Sequence, residues 1–178
     1  MGKAKQISVC AVLSALALAL SYTERFLPLQ AVLGLPGMKL GLANTVTLLA
    51  LCLFKTPYAA MILLARCLLG AVFGGGITGL AFSLTGGLLA LGVMAAAIKT
   101  EKLSLYGVSV LGAAAHNIGQ ILAAMALMGS WYVAAYLPYL LVAAVVTGLA
   151  VAGLCAGVLR VLPTALLPRR MGRWEEKP

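Results

Sequence analysis

Residues 112–124 read GAAAHNIGQILAA, which sets the chain's only histidine beside an asparagine and a glutamine in an otherwise apolar run. On a helix His116 and Gln120 stand at i and i+4, and Asn117 and Gln120 at i and i+3, so the three share one polar wedge. Arg66 lies in the middle of a second apolar run, AMILLARCLLGAVF. Imidazole, amide and guanidinium groups hydrogen-bond and pair with anions. In an apolar medium they are retained where they meet partners, a cavity or a ligand. Asn44, Thr45 and Thr47 in one further run, and Ser83 and Thr85 in another, supply companions.

The carboxylate inventory sharpens the reading. The chain contains no aspartate, and its four glutamates, Glu24, Glu101, Glu175 and Glu176, all map to ends or loops. Only Glu24 can reach towards Arg66. An internal arginine with so little acid near it suggests that a ligand anion completes the pair. Substrate-binding candidates are therefore Arg66, His116, Asn117, Gln120, Asn44 and Lys39, the last in a loop that would form a lid. The plainer alternative is that His116, Asn117 and Gln120 bond neighbouring helices and fix their packing.

Catalytic and metal chemistry fit poorly. One histidine without aspartate, and cysteines scattered at 10, 52, 67 and 155, do not make a metal set. A serine or cysteine nucleophile would lack an oriented base. No GxxxxGK[ST] phosphate loop is present, so the chain does not itself hydrolyse ATP. We expect no catalytic residues, no metal and no cofactor.

These residues must be held by membrane helices. Of 178 residues 63% are hydrophobic and 10% charged, with a mean hydropathy of +1.07. That is far from soluble usage. The apolar runs predict an all-α integral membrane protein with a single domain over 1–178 and six transmembrane helices at about 7–22, 40–54, 57–73, 77–98, 104–128 and 133–161, before a polar tail at 165–178. The net charge of +9 is spread over loops and ends and forms no stripe for nucleic acid. With the N-terminus inside, ten Lys and Arg residues lie on the cytoplasmic side and only Arg25 and Lys39 outside. Both termini are then cytoplasmic and the bilayer is that of the cell membrane. Ala11, Ala15 and Ala19 form a small-residue row on the first helix, and Ala144, Gly148, Ala152 and Ala156 form one on the last. Each row suits close helix contact, inside this bundle or with a partner subunit.

Four motifs in order, LPGMKLGLANTVTLLAL (35–51), LLARCLLG (63–70), FSLTGGLLA (82–90) and GAAAHNIGQILAA, resemble the Gx transporter family, also called heptaprenyl diphosphate synthase component I. That family is similar to the substrate-binding S components of energy-coupling factor (ECF) transporters. The resemblance implies a six-helix S-component-like fold and an outer pocket covered by the first loop. It implies docking through Ala11 and Ala15 to an ECF-type transmembrane coupling subunit carrying two cytoplasmic ATPases. The implied function is uptake of a small polar or anionic organic molecule. The alternative is a noncatalytic membrane partner in prenyl-lipid and quinone metabolism or in flavin-based extracellular electron transfer. Prenyl diphosphate synthesis by this chain is not expected, because the Mg²⁺-binding aspartate motifs of such synthases cannot be built without aspartate.

Overall fold

A computed structural model describes residues 3–24 and 41–162, and in these every regular element is helical. Six α-helices follow one another: α1 (Lys3–Thr23), α2 (Asn44–Leu53), α3 (Thr56–Gly70), α4 (Gly76–Thr100), α5 (Leu105–Met128) and α6 (Leu137–Val161). The first loop from 25, Lys39 and the tail from 163 lie outside the described residues.

Four helical stretches are long and apolar enough to cross a membrane: Gln6–Thr23, Thr56–Thr100, Leu105–Met128 and Trp131–Val161. The second of these is not one rod. A π-helical turn, Ala71–Gly75, joins α3 to α4, and inside it Gly74 takes φ 98°, followed by Gly76 at φ 59°. A side chain is strained in this left-handed region, so glycines carry the reversal. Leu63 of α3 then packs on Gly87 of α4, where an added Cβ would come within 2.6 Å of Leu63 Cδ1. On one unbroken helix those residues would stand about 36 Å apart. The stretch is therefore a hairpin of two helices.

Local chemistry sets the ends. The hydroxyl of Ser104 accepts from the amide of Gly107 at 3.2 Å and caps α5, and Gly129 at φ 61° ends it. Pro57 and Pro138 occupy the first turns of α3 and α6, where a missing amide hydrogen costs nothing. A 3₁₀ segment, Trp131–Tyr136, precedes α6, and Trp131, Tyr132, Tyr136 and Tyr139 all face outward, as membrane-interface aromatics do.

One boundary differs in a way that matters. The expected second span starts near residue 40, but α2 begins at Asn44, after a turn through Leu42 and Ala43. Its ten residues rise only about 15 Å, half a hydrocarbon core. Every residue from Asn44 to Cys52 is buried, so α2 is a plug surrounded by the other helices.

Close contacts organise the rest. A Cβ on Gly119 of α5 would lie 2.7 Å from Gly86 Cα and from the Thr85 carbonyl oxygen of α4, so these two backbones touch. A Cβ on Gly148 of α6 would lie 2.6 Å from Val110 Cα, and beside it the Ser109 hydroxyl donates to the Gly148 carbonyl at 2.7 Å. The two small-residue rows therefore meet different fates. Ala144, Gly148 and Ala152 are buried, Gly148 against α5, whereas Ala11, Ala15 and Ala19 face outward on α1.

Candidate functional site

The polar residues of α2, α3 and α5 converge where the N-terminal turn of α2 enters the bundle. Asn44 is the first residue of α2, and its Oδ1 accepts from Arg66 Nη2 of α3 at 3.4 Å, a long bond. Arg66, Asn44, His116 and Gln120 are all at most 4% exposed. Across from Asn44, His116 Nε2 and Gln120 Nε2 of α5 are 3.0 Å apart, one helical turn from each other.

Three glycines let these groups approach. A Cβ on Gly41 would fall 2.9 Å from Asn44 Nδ2 and 3.1 Å from the His116 ring. A Cβ on Gly86 would fall 2.8 Å from His116 Nδ1, and one on Gly87 3.3 Å from Arg66 Nη2. Gly41, at φ 84°, thus fills the gap between the amide and the imidazole, and the Gly86–Gly87 pair forms the wall under the imidazole and the guanidinium. The sequence offered a signal for the wall in FSLTGGLLA, where two adjacent glycines follow two hydroxyl residues.

Of the expected site residues, Arg66, Asn44, His116 and Gln120 are brought together. Asn117 is not. Its Nδ2 donates to the Leu140 carbonyl of α6 at 2.7 Å, so it braces α5 against α6. Lys39 lies outside the described residues. Among the companions, Thr85 spends its hydroxyl on its own helix, donating to Ala81 O at 2.7 Å, while Thr45 and Thr47 are buried in α2. Glu24, at the end of α1, is 5% exposed and accepts from the Leu42 amide in the turn before α2. It stands at the helix end, as expected, with its side chain turned inside the bundle.

Among the described residues Arg66 Nε and Asn44 Nδ2 are buried donors with no acceptor, and the Thr45 and Thr47 hydroxyls are also without partners. An unmet buried polar group costs about 1–3 kcal/mol. Residues retained only to glue helices should have their donors satisfied, as Asn117 and Ser109 do. The open donors at Arg66 and Asn44 have the chemistry to meet acceptor atoms from outside the chain. Among the described residues no group of three His, Cys, Asp or Glu side chains could hold a metal ion.

Fold and site together define a multi-pass helical membrane protein with a charged, hydrogen-bonding cluster in its interior. The family model for heptaprenyl diphosphate synthase component I matches residues 13–159, and the chain belongs to that family. No curated protein and no solved structure matches it.

Proposed function

We propose that the chain is the substrate-binding membrane subunit of an uptake system, S-component-like, for a small polar or anionic organic molecule. One observation carries this reading: the adjacent side chains of Arg66 and Asn44 each keep a buried donor, Nε and Nδ2, without an acceptor among the described residues. An acidic or carbonyl group of the substrate would take both. His116 and Gln120 would bond its other polar atoms, and Lys39 with the first loop would close the site. Asn117 would hold α5, which carries His116 and Gln120, against α6. The six helices would each cross the bilayer, and both termini would be cytoplasmic. Energy would come from separate ATPase subunits through a coupling subunit docked on Ala11 and Ala15.

The test is mass spectrometry of small molecules retained by gently extracted protein, wild type against Arg66→Ala. A stoichiometric ligand lost in the variant is the expected result. An empty wild type of intact fold sinks the reading.

A second reading follows from the family's description, since a component I implies another component. In that reading the chain is a noncatalytic membrane partner of a prenyl diphosphate synthase. The absence of any aspartate supports the noncatalytic part, and the outward face of α1 would be the contact. Co-purification of a soluble synthase subunit, with no small molecule retained, would favour it.

A further inference from the structure

Arg66 is a cation buried to 4% exposure in an apolar bundle, and such a charge is tolerated when another charge balances it. Glu24 is buried to a similar degree, and the chain's other three glutamates lie in the 101–104 turn and the tail. The two charges share one short piece of backbone. Glu24 accepts from the amide of Leu42, and Arg66 donates to the side chain of Asn44, two residues further on. The turn that opens α2 is therefore held between an anion and a cation. The amides of Asn44, Thr45 and Val46 close the turn on the carbonyls of Gly41, Leu42 and Ala43, and the Leu42 amide at its mouth is left for the carboxylate, at the helix end that favours negative charge.

We propose that Glu24 is the resident counter-charge of Arg66, positioning it through the first turn of α2, so that an acidic ligand meets a site already balanced by an anion of the protein. This deepens the transport reading, in which Arg66 receives the ligand's acidic group. Entry of that group displaces the influence of Glu24, and α2 is the element that feels the exchange. The counter-charge itself does not depend on transport.

The experiment is chemical rescue of Glu24→Ala in the full-length, detergent-purified chain, read as melting temperature. Sodium formate supplies a small free carboxylate, and sodium chloride and formamide at equal concentration control for ionic strength and for shape. Formate should raise the melting temperature of Glu24→Ala towards wild type, with no such effect in wild type or in Glu24→Ala/Arg66→Gln. Equal effects of formate, chloride and formamide, or rescue that persists without Arg66, would overturn the proposal. Should Glu24→Ala not fold, the cycle of Glu24→Gln, Arg66→Gln and the double variant decides. The neutral double should be at least as stable as Glu24→Gln alone. Additive losses, or failure of the neutral double to fold, would overturn the proposal. An empty wild type in the ligand measurement would remove the transport reading and leave the formate result untouched.

Discussion

The side chain of Asn117 donates to the main-chain carbonyl of Leu140 at 2.7 Å, which turns it away from His116 and Gln120, its partners in sequence. One polar run thus serves two purposes. Asn117→Leu should lower stability by about 1–3 kcal/mol, since Leu140 loses its donor in the interior. Ligand retention per folded molecule should not change. Thermal unfolding alongside mass spectrometry checks both halves, and a selective loss of ligand would return Asn117 to the site.

Glycine substitutions should separate by position. Gly119→Ala places a methyl 2.7 Å from the backbone of α4, where nothing can rotate aside. A loss of about 1–3 kcal/mol is expected. Gly92→Ala on α4 meets nothing within 4 Å and should be neutral or slightly stabilising. Comparable melting temperatures for the two variants would contradict the close α4–α5 contact.

Arg66→Lys should behave almost as badly as Arg66→Ala in ligand retention. Lysine keeps the charge but lacks the planar fork that offers Nε beside Nη2. Full retention by Arg66→Lys would mean that only charge, and no directed hydrogen bond, is read at this position.

The rows of small residues make opposite predictions. Ala11→Leu and Ala15→Leu add bulk to an outward face and should leave the isolated chain as stable as before. They should weaken its association with a membrane partner, measured by co-purification. Ala144→Leu and Ala152→Leu fill positions of 0% exposure and should destabilise the fold itself. Unimpaired partner capture by both α1 variants would remove that face as a docking surface.

Orientation is testable with single cysteines in a background lacking the native four. Ser130→Cys, between α5 and α6, should react with a membrane-impermeant thiol reagent added to intact cells. Lys102→Cys, between α4 and α5, should react only after lysis. The reverse pattern would invert the proposed topology.

The helices were legible because long apolar runs have few alternatives, and Arg66, Asn44, His116 and Gln120 because polar groups in such runs are costly. The direction of Asn117 was not. Successive residues turn by about 100° on a helix, so it lies at the far edge of the wedge, nearer to α6 than spacing alone reveals. The glycine wall was also hidden. In an apolar segment Gly41, Gly86 and Gly87 read as packing residues, and only their distances to Asn44, His116 and Arg66 give them a place. The inward position of Glu24 depends on a bond to Leu42, across a loop whose path no local pattern specifies.

The shortness of α2 has a consequence for how the protein is made. A ten-residue helix is about half the length of an independent span, and this one is buried on every side by the other helices. When it is synthesised, the helices that will carry Arg66, Gly86 and His116 do not yet exist. Its burial, and with it the polar cluster, is complete only once α5 has been made. Biogenesis of this chain therefore ends, and does not begin, with the residues near its start.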